Sequence, residues 1–113
     1  MIDASKILAN GGATYNPATD TEPTKGYAVS SFKQHERVFP VESFGDRNIR
    51  QYLARRKPLF QDSRICLGAW VDSDKVFLDC SVVVKTIKEA RRICREHNQL
   101  AFFNLAKLET VRV

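Results

Sequence analysis

Residues 65–82 read ICLGAWVDSDKVFLDCSV, and this stretch decides the fold class. On both sides of the polar segment Asp72–Lys75, apolar residues recur at every second position, as they do in half-buried strands. The residues of the polar segment tolerate tight backbone geometry, and the flanking Val, Phe and Trp residues suit a pleated surface. The stretch therefore predicts a β-hairpin.

A first helix is predicted on the N-terminal side of this hairpin. Asp46 follows Gly45 and can cap exposed amide groups at the start of a helix. The helix is expected to run to about Lys57, because Pro58 disfavours a helical conformation for the residue before it.

A second helix is predicted on the C-terminal side. Thr86 and Glu89 have the spacing of a capping box, and Asn98 is a plausible stop. Apolar and weakly polar residues then recur at steps of three and four, which predicts a buried face. These residues are Ile87, Ala90, Ile93, Cys94 and His97.

The remaining pattern predicts more strands and one long loop. Residues 10–26 are rich in Gly, Thr, Pro and Asp and favour an exposed loop. We therefore expect a single compact domain over residues 1–113, of the α+β class, with a mainly antiparallel sheet and two helices packed on one of its faces. The additional strand candidates are Tyr27–Ser30, Arg37–Phe39, Leu100–Leu105 and Leu108–Val113.

The composition is that of a globular protein with a basic surface. The chain has 113 residues, 43% of them hydrophobic, and a formal net charge of +5. Its longest apolar runs fall far short of the roughly 20 residues that cross a bilayer, and its start does not resemble a signal peptide. We therefore expect a cytoplasmic protein without a membrane partner.

Cysteine usage agrees with that compartment. The three cysteines, Cys66, Cys80 and Cys94, cannot all pair within one chain, and none lies in a C-x-x-C arrangement. Buried, reduced thiols are expected. With only two histidines there is no compact ligand pair to start a zinc site, so we expect neither a metal nor a cofactor.

Two residues are the best candidates for catalysis. Cys94 lies one helical turn from His97, and Asp79 falls on the strand face opposite Leu78 and Cys80. The alternative for Cys94 is an ordinary core position. The alternative for Asp79 is a carboxylate that accepts hydrogen bonds from a neighbouring loop or pairs with one arginine. The sequence also lacks the common nucleotide-binding, metalloprotease and hydrolase motifs, which favours a protein that is not an enzyme.

Basic residues are concentrated on and beside the two predicted helices, since residues 47–57 and 85–95 hold ten of the eighteen lysines and arginines. A cationic helix face attracts phosphate groups, although a solvated face without any partner has the same composition. Tyr15, Tyr27 and Phe32 could form a base-stacking platform or cover the open face of the sheet. The candidate contact residues for nucleic acid or another partner are Arg47, Arg50, Arg55, Arg56, Lys88, Arg91, Arg92 and Arg95.

Three stretches resemble a family of short bacteriophage and prophage proteins, found especially in phages of actinobacteria. The resemblance implies a phage or mobile-element origin and assigns no site residue. The arginine-rich first helix departs from the family pattern. The stretches are Gly11–Pro17 with Gly26–Ser30, Leu67–Trp70 with Phe77–Asp79, and Asn98–Leu105.

Taken with the basic helices, the resemblance predicts an accessory protein that binds a host nucleic acid or nucleoprotein complex. Inhibition of a host defence system such as CRISPR–Cas is one such role. The alternative is a virion-associated or self-assembling structural protein, a homo-oligomer that pairs through an exposed strand such as Leu108–Val113.

Overall fold

A computed structural model describes residues 2–113, and its centre is an antiparallel sheet. The predicted hairpin forms the middle of this sheet, and Ser73 in its turn adopts a left-handed conformation with φ of 56°. The strands are β1 (Gly12–Tyr15), β2 (Tyr27–Ser30), β3 (Arg37–Pro40), β4 (Ile65–Asp72), β5 (Lys75–Val84), β6 (Ala101–Asn104) and β7 (Glu109–Arg112).

The strand order is β1-β4-β5-β2-β6-β7, and β3 pairs with the first half of β5. The long strand β5 therefore has β4 along one side and β2 and β3 along the other. All the strand candidates named from the sequence are strands in the structure. The sheet ends at β1 on one edge and β7 on the other.

Two of the helices correspond to the predicted pair, and two were not predicted. The capping box of the second predicted helix is confirmed, because the Thr86 side chain accepts a hydrogen bond from the Glu89 amide at 3.1 Å. None of the helices in residues 2–113 combines the length and apolar composition needed to span a bilayer. The helices are α1 (Ala4–Asn10), α2 (Asp46–Arg55), α3 (Lys57–Phe60) and α4 (Ile87–Glu96), with 3-10 turns at Lys33–His35 and Val41–Ser43.

The predicted placement of both basic helices on one face of the sheet is confirmed. A first core cluster holds α1, α2 and α3 against β1, β4 and β5, and a second cluster holds α4 against β2 and β6. Ile65 of the first cluster and Val29 of the second both lie directly opposite Val82. Residues directly opposite each other in antiparallel strands point to the same face. Both clusters, and the helices above them, therefore lie on the same side of the sheet.

The prediction of a loop across residues 10–26 is wrong at its N-terminal end. Residues 12–15 form β1 and pair with β4, and Tyr15 and Asn16 are buried. A four-residue strand at a sheet edge is too short to show a clear alternation of apolar residues. Its backbone hydrogen bonds come from β4, so pairing with a distant segment determines its structure.

The N-terminal helix α1 precedes every predicted element and was not predicted. Its signals are present in the sequence, since the Asp3 side chain accepts from the Lys6 amide at 2.8 Å and Gly11 ends the helix in a left-handed conformation. These are an ordinary N-cap and an ordinary glycine stop.

The first predicted helix differs from expectation at both ends. Gly45, not Asp46, is its N-cap, and the Gly45 amide donates to the Asn48 side chain at 2.9 Å. The Asp46 carboxylate accepts instead from the Ala4 amide at 2.7 Å. The helix ends at Arg55, and Pro58 lies in the first turn of α3, where a proline is well tolerated.

Candidate nucleic-acid interface

On α4, exposed cations lie on the side away from the sheet. Ala90 and Cys94 are fully buried beneath the helix. Lys88, Arg92 and Arg95 are spaced by four and then three residues and are all exposed. Residues at this spacing share one helix face, so the three side chains form a single cationic stripe on α4.

The other members of the predicted α4 face are arranged differently. Arg91 is half-buried, and its guanidinium lies 5.9 Å above the Phe102 ring. Ile87 and His97, which the pattern placed on the buried face, are exposed. Both lie at the ends of α4, Ile87 as its first residue and His97 as its C-cap.

On α2, Ile49 and Tyr52 face the first core cluster. Arg47, Arg50 and Arg55 are exposed on the remaining sides of the helix. They lie on the same side of the sheet as the cationic stripe on α4.

Arg56 does not share this exposure. It retains 8% of its accessible surface, and its guanidinium stacks 3.9 Å above the Tyr52 ring while Nη1 donates to the Tyr52 carbonyl oxygen at 3.1 Å. Its Nε has no hydrogen-bond partner, the only such buried side-chain atom within residues 2–113. The structure therefore places Arg56 in the packing between α2 and α3 and not among the surface cations.

The surface cations are largely free of internal carboxylate partners. Of the eight predicted contact residues, only Arg92 has an ion pair within the described part of the chain, at 2.9 Å from Glu96. Both side chains of that pair are more than half exposed, and such surface pairs contribute little to stability. An anionic partner can therefore reach these groups at a low cost in lost internal contacts.

Asp79 occupies a buried position on the sheet face opposite the helices. It retains 5% of its accessible surface, and it accepts a hydrogen bond from the Ser81 hydroxyl at 2.8 Å. Burial raises the pKa of the Asp79 carboxyl, and the Ser81 hydrogen bond opposes that shift. The Ser81 donor lies on the same strand as Asp79, whereas the predicted alternative named a neighbouring loop or an arginine as the partner.

Cys94 lies in the second core cluster and packs as a core residue. Its Sγ contacts the Ala101 carbonyl oxygen at 3.6 Å, and burial raises the pKa of the thiol against the opposing effect of Arg91 and Arg95. His97 lies at the exposed C-cap of α4, with its ring centroid 6.5 Å from that of Phe32.

All three cysteines are free and buried, as the sequence predicted. Burial raises the pKa of the Cys66 thiol to about 11 and also raises that of Cys80, which lies 3.3 Å from the Tyr52 hydroxyl. Within residues 2–113, no group of three His, Cys, Asp or Glu residues is arranged to hold a metal ion.

The aromatic residues that the sequence suggested as a platform are packed against the rest of the chain. Tyr15 is buried, Tyr27 packs edge-on against Phe102, and Phe32 packs against the first core cluster. The exposed aromatic residue is instead Trp70, which stacks on the half-buried Phe77 on the face without the helices. The alternation of residues in β4 and β5 places both side chains on the face opposite the apolar one. This alternation is the sequence signal that could have identified the pair.

Comparisons of this chain with protein-family models, curated sequences and solved structures found no match. The interface is therefore interpreted from its own geometry and charge.

Proposed function

We propose that this chain is a non-enzymatic nucleic-acid-binding protein whose basic helices contact the phosphate backbone. The observation that carries the proposal is the shared orientation of α2 and α4 on one side of the sheet, with six of the eight candidate cations exposed. Cations on one side of a protein can contact successive phosphates of one nucleic-acid molecule.

The size of the molecule suits such a contact. Its longest dimension is 37 Å, which corresponds to about 11 base pairs of a duplex at ~3.4 Å each. Arg47, Arg50 and Arg55 on α2 and the cationic stripe on α4 lie over separate core clusters, so a bound duplex would contact two separate groups of cations. Binding through phosphates alone carries no base specificity.

The resemblance to phage proteins provides a biological setting for the proposal. An accessory phage protein with this surface would bind host RNA, DNA or a nucleoprotein complex in the cytoplasm. A nucleic-acid-guided defence complex such as CRISPR–Cas is one target of that kind.

Fluorescence anisotropy with labelled duplex and single-stranded oligonucleotides tests the proposal at about 50 and 200 mM salt. One variant reverses the exposed α2 charges (Arg47→Glu, Arg50→Glu, Arg55→Glu), and a second reverses the cationic stripe on α4 (Lys88→Glu, Arg92→Glu, Arg95→Glu). A control with the same change in net charge reverses exposed lysines outside these helices (Lys25→Glu, Lys33→Glu, Lys107→Glu).

Each helix variant should bind at least about tenfold more weakly than the parent chain, with a shallower dependence on salt. The control should lose much less affinity. Equal losses in all three variants would show that only net charge matters, and unchanged binding would remove the two helices from the interface. Circular dichroism confirms that the variants are folded.

A second function, self-assembly, is favoured by the open edge at β7. The Val113 amide donates to the Leu100 carbonyl oxygen at 3.0 Å, and hydrogen bonds alternate along an antiparallel pair. The backbone amides of Thr110 and Arg112 therefore point away from β6, where another strand can accept them. Leu100 and Leu108 beside this edge are 77% and 75% exposed.

Sedimentation velocity over a range of concentrations tests self-assembly. The variant Thr110→Pro removes one outward amide and should lower any dimer fraction, since proline cannot donate a hydrogen bond to a partner strand. A parent chain that stays monomeric at all concentrations contradicts this second function.

A further inference from the structure

Trp70 and Phe77 form a stacked pair on the sheet face opposite the helices. They lie directly opposite each other on β4 and β5, with ring centroids 4.1 Å apart and ring planes 9° from parallel. Trp70 is 41% exposed. One face of its indole is covered by Phe77.

The other indole face lies over β1, where the residue opposite Trp70 is Gly12. Glycine has no side chain, so Gly12 places no side chain against the second ring face. A Cβ at position 12 would lie only 2.7 Å from the Ala69 carbonyl oxygen, so the close pairing of β1 with β4 disfavours any larger residue there. The geometry thus holds a flat aromatic surface open beside the sheet edge.

The indole of Trp70 also has a polar neighbour. The Asp79 carboxylate interacts with the Trp70 side chain and accepts a hydrogen bond from the Ser81 hydroxyl at 2.8 Å. Trp70 therefore lies between an aromatic ring and a buried acid on β5.

This aromatic surface lies at the same end of the sheet as the first turn of α2. The Val41 amide donates to the Asp74 carbonyl oxygen at 2.8 Å, which fixes the segment leading into α2 to the tip of the hairpin that carries Trp70. Lys75, at that tip, is exposed and shares the face of Phe77, two residues further along β5. A flexible strand whose phosphates contact Arg47 would have to pass around this hairpin tip to reach Trp70 on the other face.

We infer that the open face of Trp70 stacks against an unpaired base of a single-stranded nucleic acid. This inference rests on the proposed function and narrows it to a class of nucleic acid, because bases in a duplex are not available for such stacking. Stacking on an aromatic ring tolerates any base, since every base has a π-face. Lys75 provides a cation for a neighbouring phosphate, and the exposed Asp72, directly opposite Lys75 on β4, is a carboxylate that the phosphate must avoid.

The single tryptophan of the chain makes the inference directly testable. Emission of Trp70 is recorded while unlabelled oligothymidylate or oligouridylate of about 12 nucleotides is added, within the site sizes of single-strand binders. Anisotropy of labelled copies of the same oligonucleotides measures binding independently. A blunt duplex of equal length supplies phosphates without free bases.

Stacking should quench Trp70 emission with the single strands, and the quenching should saturate together with the anisotropy. The duplex should change the anisotropy and leave the emission nearly unchanged. The variant Trp70→Ala should bind single strands roughly tenfold more weakly, while Trp70→Phe keeps most of the affinity because it retains an aromatic ring. Neither variant should alter duplex affinity.

The outcomes separate this inference from the proposed function. Single-strand binding with unchanged Trp70 emission and an unaffected Trp70→Ala variant overturns the stacking site and leaves the phosphate contacts in place. Absence of binding to every oligonucleotide overturns both. Quenching by the duplex equal to that by single strands also contradicts base stacking, because it shows that emission responds to phosphate binding alone.

Discussion

The Asp79 carboxylate lies against the α-carbon of Gly68, in the space where a side chain at position 68 would begin. The two residues are directly opposite each other on β5 and β4. Gly68 thus makes room for a buried acid that would otherwise have to point elsewhere. Asp79 also interacts with Trp70, one member of the stacked aromatic pair.

The first prediction concerns this pair of residues. The substitution Gly68→Ala should lower the free energy of unfolding by about 1–3 kcal/mol, because its Cβ would overlap Asp79 and approach the Ser81 hydroxyl to 3.0 Å. Urea denaturation measures the change. Gly45→Ser is a suitable control, since a Cβ at Gly45 meets no atom within 4 Å and serine is a favourable N-cap residue.

A double-mutant cycle separates this overlap from a general intolerance of β4 to substitution. In an Asp79→Ala background, Gly68→Ala should cost much less than in the parent chain. Additive costs in the two backgrounds would contradict the contact.

The second prediction concerns pH. Burial raises the pKa of Asp79 above its ordinary value of 3.8, so the folded chain holds this proton more tightly than the unfolded chain does. The stability from this difference is present below the ordinary pKa and is lost as the pH rises through the raised pKa. Asp79→Asn cannot ionise and should not show this loss.

Unfolding free energies measured in urea from about pH 3.5 to pH 8 check this effect. The difference between Asp79→Asn and the parent should shift in favour of the variant as the pH rises. Parallel stability curves for the two proteins would show that the Asp79 proton is held equally in both states.

The third prediction contrasts two adjacent arginines. Arg56→Gln should lower the free energy of unfolding by about 1–2 kcal/mol through loss of the Tyr52 stacking and the hydrogen bond to its carbonyl oxygen, with little effect on nucleic-acid affinity. Arg55→Gln should leave stability within about 0.5 kcal/mol and weaken binding, since Arg55 is exposed.

Urea denaturation and anisotropy on the same preparations measure both effects. For Arg55→Gln, the slope of log affinity against log salt should fall by about 0.7–0.9, the value for one lost phosphate contact. A larger loss of affinity in the Arg56 variant than in the Arg55 variant would mean that the buried guanidinium reaches the ligand.

The fourth prediction concerns the start of α4. Thr86→Ala removes the hydroxyl that accepts from the Glu89 amide, and it should lower the free energy of unfolding by about 1 kcal/mol. Thr86→Ser keeps the hydroxyl and should retain most of the stability. If both variants unfold at the same urea concentration as the parent, the cap does not stabilise the helix that carries the cationic stripe on α4.

Local patterns in the sequence determined much of this fold. The alternation in residues 65–82 is sufficient for the central hairpin, and the spacing of Thr86 and Glu89 is sufficient for the start of α4. Both depend on interactions between residues close together in the chain, which a pattern of period two or a capping box records directly. The α+β fold class and the positive sign of the surface charge also follow from the sequence.

Tertiary structure alone decided which charges reach the surface. Arg55 and Arg56 are neighbours of the same type, and only the packing of α2 and α3 against the sheet buries one and exposes the other. The strand β1 and the fit of Asp79 over Gly68 likewise arise from pairing with a distant segment. Such features depend on which distant segments contact each other in the folded chain, and no local periodicity in the sequence encodes those contacts.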